Sequence, residues 1–296
     1  QVLDAGASTL PQLRHALKSL GADGAALVDS AFLTPLTKEG ALLPRKRQRS
    51  IGSMLLRQDF SGPFCGITRP MVAVGRTEFP YVASLSRAFR AHSENAPPVA
   101  VFAEDMQLLS VAERAFVRAG INVRCEWEEE MMELDGDEVG VWLNATGETA
   151  SFVGADGALT EAEGQLLLLW TALESGERTL LLPASFTRAA DKLAMRYGAE
   201  LYYESVEKSR WMDALARLHP EQFLLHFDGL YLALRALSAL QEAGINLSEW
   251  RQQMPKVHRK SRVIEMALNE RGRVLRAFSE SEANAELGGG IRLNRE

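Results

Sequence analysis

Short apolar runs alternate with stretches of helical period along the chain, which is the pattern of β-α-β units in an α/β protein. Val2-Leu3 opens as a strand. Thr9 then caps a helix with Pro11 in its first turn; Leu13, Leu17 and Leu20 share one face, and Gly21 stops it. Val99 to Phe102 reads as a strand, followed by a helix from Asp105 to Ala119, a stop at Gly120 and a returning strand from Ile121 to Cys125. Thr179 to Leu182 repeats the unit. There Ser185 caps a helix with Phe186, Ala189, Ala190, Leu193 and Tyr197 on its apolar face; Gly198 ends it, and Ala199 to Tyr203 is the next strand. Asp228 opens a leucine-rich helix through Leu230, Leu234, Leu237 and Leu240, closed by Gly244. Either one large sheet or several small repeated domains accommodates these units.

Punctuation between the units suggests boundaries. Ala91 to Pro98 ends in Pro97-Pro98, which fixes extended geometry and removes donors, as suits a linker. A second shift comes at Met254-Pro255, ahead of Lys256, His258, Arg259, Lys260 and Arg262. The expected segments are 1–96, 97–177, 178–255 and 256–296. The first residue, Gln1, runs straight into a strand, and the last segment stops after Gly288 to Leu293, so a piece of a longer chain is expected.

Composition narrows the function. The net charge of −6 gives no reason to expect a nucleic-acid partner. The longest apolar run, Leu166 to Leu173, is far short of the roughly 20 residues of a membrane span, so no membrane partner is expected. No basic-then-apolar leader is visible, which makes the cytoplasm the expected compartment. Cys65 and Cys125 are too few for a disulfide framework or a thiolate metal site and read as buried small hydrophobes. Arg45-Lys46-Arg47-Gln48-Arg49 reads as the solvated first turn of a helix running to Phe60 rather than a phosphate patch. The acidic block from Glu126 to Glu138 has no basic residue inside it and lacks the spacing of a calcium loop, so it reads as a solvated connection; a basic partner surface is its alternative. Trp127, Met131 and Met132 interrupt the charges and offer packing.

Asn144-Ala145-Thr146-Gly147-Glu148-Thr149 follows the apolar run Val139 to Leu143 and precedes Ser151-Phe152-Val153. By itself it reads as the polar turn of a hairpin, with one carboxylate.

Read together, several stretches resemble the α-D-phosphohexomutase family, the phosphoglucomutases and phosphomannomutases, over nearly the whole chain. They are Val2 to Gly6 with Leu10 to Arg14, Gly21-Ala22-Asp23-Gly24, Arg47 to Phe60, Pro183 to Tyr197, and Asp228-Gly229 with Leu247-Ser248-Glu249-Trp250. The resemblance implies consecutive small α/β/α sandwich domains with mixed sheets. Its nearest flavour is the mutase-like region fused behind a bacterial sugar nucleotidyltransferase, which would make such a domain a partner in the same chain.

Family members move a phosphoryl group between a serine and a sugar hydroxyl, a task of positioning and charge stabilisation. The resemblance places the phosphoserine at Ser30, but Ala31 and Phe32 stand where a histidine and asparagine would flank it, leaving the hydroxyl without a base. It places the magnesium loop at Asn144, Thr146 and Glu148, where the family has three aspartates. It places the sugar-contacting loop before Asp228, with Glu221 as a relic substrate contact, while His226 also reads as a half-buried structural histidine; the family's glycines and serine are missing. The phosphate-binding loop would follow Gly290 to Leu293, past the end of the sequence. The expectation is a catalytically degenerate mutase-like region with a structural, regulatory or oligomerising role and no cofactor. An active mutase using Ser30 and magnesium, and a non-catalytic sugar-phosphate binder, are the alternatives.

Overall fold

A computed structural model describes residues 2–28, 33–57, 71–89, 96–127, 134, 136, 138–204, 207–257, 265–279, 284–287 and 290–293. Ser30, Cys65, residues 91–95 of the linker, most of the acidic block and residues 258–262 of the basic stretch lie outside them.

The first part holds β1 (Val2–Asp4), α1 (Leu10–Ser19), β2 (Gly24–Val28), β3 (Leu33–Thr37), α2 (Arg45–Arg57), β4 (Met71–Ala73) and α3 (Glu78–Leu85). β1 pairs parallel with β4, and β2 and β3 form an antiparallel hairpin. Thr9 caps α1 by accepting from the Gln12 amide, and Pro11 occupies the first turn, where its missing N–H is not needed. The helix ends one residue earlier than the leucine pattern suggests. Leu20 becomes the C-cap, 43% exposed, and Gly21 follows with φ +60°. α2 carries the basic cluster on exposed positions and buries none of its residues.

The middle part runs β5 (Val99–Ala103), α4 (Met106–Arg118), β6 (Val123–Trp127), β7 (Val139–Leu143), β8 (Ala150–Gly154), β9 (Gly157–Ala158) and α5 (Glu161–Glu174). Its sheet has the order β6-β5-β7-β8-β9, parallel across β6, β5 and β7 and antiparallel from β7 onward. β5 is buried at all of its positions because strands flank both its edges and helices cover its faces; hence its uninterrupted apolar run. Asp105 caps α4 and a Thr160–Glu163 capping box starts α5. Two members of the acidic block do not belong to a solvated connection. Glu126 and the buried Glu138 both pair with Arg124 on β6, the basic residue just outside the block.

The third part contains β10 (Thr179–Pro183), α6 (Ala189–Tyr197), β11 (Glu200–Glu204), α7 (Lys208–Leu218), α8 (Pro220–Phe227), α9 (Gly229–Ala243) and α10 (Leu247–Gln253). β10 and β11 pair in parallel around α6. Ser185 does not cap that helix. It sits in a turn closed by the Phe186 amide donating to Pro183 O, and α6 begins at Ala189. Beyond lie α11 (Leu268–Ser279) and the antiparallel pair β12 (Asn284–Leu287) and β13 (Gly290–Leu293).

One continuous core joins α3, the β5–β8 sheet, α4, α5, β10, α6, α9 and α10. Leu166, Leu167, Leu169 and Leu173 of α5 are all under 2% exposed, each worth about 1.5–3 kcal/mol of burial. The architecture is mixed α/β with mixed sheets, as the sequence suggests. Among the described residues no single helix is long and apolar enough to cross a membrane.

Candidate functional site

Residues 144–149 join β7 to β8 as a self-satisfied turn. The Asn144 amide donates to Thr149 O at 3.2 Å, and the Gly147 amide donates to Asn144 O at 2.8 Å. The Asn144 side chain accepts from the Thr149 amide at 3.1 Å and donates to Thr146 Oγ1 at 3.1 Å. Gly147 has φ +74°, a left-handed conformation that suits glycine. Backbone bonds then fasten the turn to neighbours: Leu10 of α1 donates to Thr146 O, and Gly229 of α9 donates to Gly147 O.

The turn's carboxylate is already engaged. Glu148 Oε1 lies 2.5 Å from Arg14 Nη2, and the two side chains are 13% and 5% exposed. Arg14 also donates from Nε to Gly40 O at 2.8 Å and from Nη1 to Phe227 O at 3.0 Å. Its guanidinium lies 5.6 Å and 5.9 Å from the rings of Phe223 and Phe227. One arginine on α1 therefore ties together the β3–α2 connection, the hairpin turn and α8.

A magnesium ion requires hard oxygen ligands in near-octahedral array. Here Asn144 is bonded within its own turn, Thr146 is neutral, and Glu148 is neutralised by a cation. Among the described residues no cluster of three His, Cys, Asp or Glu side chains forms a metal set. These residues do not fit magnesium.

The segment expected as a sugar-contacting loop is instead α8. Pro220 stands at its first turn and Glu221 follows, both good helix-start residues. Its polar side chain at Glu221 has partners within the fold. Glu221 accepts from Tyr231 Oη at 3.2 Å and pairs with Arg235 at 3.4 Å, both on α9. His226 packs against Trp211 at 4.9 Å and Phe186 at 6.3 Å between ring centres, and burial lowers its pKa, keeping the imidazole neutral. Ser30 lies outside the described residues.

Beside Arg14, α1, α3, α8 and α9 enclose a cavity of about 180 Å³. Phe223, Leu224 and Phe227 of α8 face Tyr81 and Leu85 of α3 across it, with His15 and Lys18 contributed by α1. Asp228 at its base is 3% exposed and caps α9 by accepting from the Tyr231 amide at 3.0 Å. The Tyr81 hydroxyl, 2.9 Å away, donates to the same carboxylate. Burial dominates and pushes the Asp228 pKa up to about 6, against the hydrogen bonds and Arg14, which favour the charge. Burial and the adjacent Asp228 raise Tyr81 far above its usual value, so it remains a donor.

Sequence reasoning missed Arg14, His15, Lys18 and Tyr81. A signal was present for the first: Arg14 stands four residues after Leu10 and three before Leu17, on the buried stripe of α1. A charge on such a stripe needs a buried partner.

No protein family's sequence profile matches the chain, and no curated protein matches it in sequence. Solved structures do match. A candidate phosphomannomutase from Thermus thermophilus superposes with TM-score 0.67 at 14% identity, over 85% of this chain and 67% of that one. A phosphoglucomutase/phosphomannomutase family protein from Burkholderia thailandensis gives TM-score 0.62 at 16% identity, over 86% and 65%. Parafusin, a phosphoglucomutase of Paramecium in its open form, gives 0.54 at 10% identity, over 86% and 62%. The chain thus spans about two thirds of the length of these structures. Over most of its own length it is built on the phosphohexomutase fold.

Proposed function

We propose that this chain is a phosphohexomutase-like scaffold without mutase chemistry, kept for a structural, regulatory or oligomerising role. The observation that carries the reading is the buried Arg14–Glu148 pair, which commits the turn's carboxylate to holding three parts of the chain together. The helix α8, with Glu221 turned to Arg235 and Tyr231, supports it further. The resemblance noted in the sequence makes a cytoplasmic bacterial protein of carbohydrate metabolism, with a nucleotidyltransferase domain in the same chain, the natural setting for such a scaffold.

A coupled assay with glucose 1-phosphate and mannose 1-phosphate, magnesium and the matching bisphosphate activator tests the reading. The expected result is no turnover above buffer. Turnover that Ser30→Ala abolishes would restore the active-mutase alternative. Light scattering behind size exclusion tests the oligomerising role, where a monomer at all accessible concentrations removes it.

A further inference from the structure

The helix α2 buries none of its residues, and none of its apolar side chains joins the hydrophobic clusters of the fold. Met54, Leu55 and Leu56 are 43%, 47% and 89% exposed. Among the described residues its fastenings are all at its start. The Arg45 amide donates to Glu207 Oε1 at 2.6 Å, the Gln48 side chain to Leu43 O at 2.5 Å, and the Arg47 and Gln48 amides to Pro44 O. A 13-residue helix with Gly52 inside it is marginal in water by itself, so its uncovered apolar half calls for a partner.

The charges of α2 are as bare as its apolar side chains. Arg45, Lys46, Arg47, Arg49 and Arg57 are all exposed, and the helix holds no acidic residue. None of these cations has a carboxylate in salt-bridge range among the described residues. Glu207, beside them, is engaged by the Arg45 amide, and the next residue, Lys208, adds a further exposed cation. The whole chain has a net charge of −6, so what lies outside α2 is more acidic still, and an anionic surface attracts this helix while repelling the remainder. The two characters are also separated along the helix: Arg45 to Arg49 make its first turn basic, while Ile51, Met54, Leu55 and Leu56 fill the later turns.

We infer that α2 docks on the surface of an anionic lipid bilayer, with its cations among the headgroup phosphates and its apolar half at the edge of the acyl region. At ~1.5 Å per residue the helix is about 20 Å long, too short to span, but a helix lying in the interface needs no spanning run. Tilted so that its later turns enter first, α2 covers Leu56 as well as the face of Ile51, Met54 and Leu55. A nucleic acid would pair with the cations and leave that apolar half in water. A groove on an acidic protein takes anchors spread along one face over successive turns, whereas Ile51, Met54 and Leu55 share a single turn and Leu56 lies off their face. A bilayer surface asks only for charge and apolar area on one exposed helix. Such docking sets where the protein sits and is independent of whether the scaffold retains mutase chemistry.

Vesicles of equal parts phosphatidylglycerol and phosphatidylcholine are the probe, with pure phosphatidylcholine vesicles as the neutral control, each read by co-sedimentation. The protein should bind the anionic vesicles and not the neutral ones, and raising the salt from about 0.1 M to about 0.5 M should release it. The triple variant Lys46→Gln/Arg47→Gln/Arg49→Gln should weaken binding about a hundredfold. Met54→Ser/Leu55→Ser/Leu56→Ser should weaken it at least about tenfold. Every substituted side chain is exposed, so both variants should keep nearly the urea midpoint of the parent. No binding to the anionic vesicles at millimolar lipid overturns the inference, as does equal binding to the neutral ones or an unaltered affinity of either variant. An RNA oligonucleotide or polyglutamate that binds more tightly than the vesicles at equal charge concentration would also overturn it, in favour of a nucleic-acid or acidic-protein partner.

Discussion

Replacing Glu148 with glutamine leaves the guanidinium of Arg14 buried without its counter-charge. Both partners sit inside, at 5% and 13% side-chain exposure, so solvent does not screen the pair away. Removing one member of such a pair costs about 3–5 kcal/mol. Glu148→Gln should fall at the low end, since Gly40 O and Phe227 O still accept from Arg14. Arg14→Met should cost about 4–5 kcal/mol, because it strands Glu148 and also leaves those carbonyls without donors. The double variant should be less destabilised than the sum, by at least ~2 kcal/mol, since it removes both charges together. Urea unfolding followed by tryptophan fluorescence reads all corners of the cycle, with Trp211 only 5.2 Å from the Phe227 ring. Single variants within ~0.5 kcal/mol of the parent, with additive effects, would place the pair among ordinary surface contacts and refute the clasp.

Further expectations follow from neighbouring residues. Asp228 has its folded pKa raised from 3.8 to about 6, so its contribution favours the folded state at low pH and is lost as pH rises from about 4 through 6. Asp228→Asn keeps a capping oxygen and removes that dependence, so its stability relative to the parent should climb over this interval by about 2–3 kcal/mol; a flat difference would contradict the buried-acid picture. A Cβ on Gly229 would lie 2.8 Å from Thr149 C and 2.9 Å from Thr149 O, both backbone. Gly229→Ala should therefore destabilise by about 2–3 kcal/mol in thermal unfolding, and a neutral substitution would mean that the α9 start does not pack against the hairpin as described. The mutase assay completes the set.

Much of the fold was legible wherever local signals agreed. Thr9, Asp105 and Asp228 each cap the helix their side chains suggest, and Gly244 ends α9 in the left-handed conformation. The leucine periodicity of α9 marks the core it fills. Reasoning failed where a resemblance overrode residues. Pro220-Glu221 is a helix start, and Phe223, Leu225 and Phe227 are buried along that helix, yet the family pattern led to a loop. Ser185 looked like a cap, but the chain first closes a turn at Phe186. The Arg14 clasp was out of reach for a different reason. Its partners, Gly40, Glu148 and Phe227, are remote in sequence, and no local periodicity announces a contact of that kind.

That remoteness has a consequence for biosynthesis. Arg14 is separated from Glu148 by 134 residues and from Phe227 by 213. At ribosomal speeds of about 5–20 residues per second, roughly 10–40 s pass between the emergence of α1 and that of its last acceptor. During that interval Leu10 and Leu13 of α1 can already pack against Leu36, but the Arg14 cation has neither Glu148 nor Phe227 to receive it. A chain halted before α8 would therefore keep a locally packed α1 carrying a cation that lacks its interior acceptor.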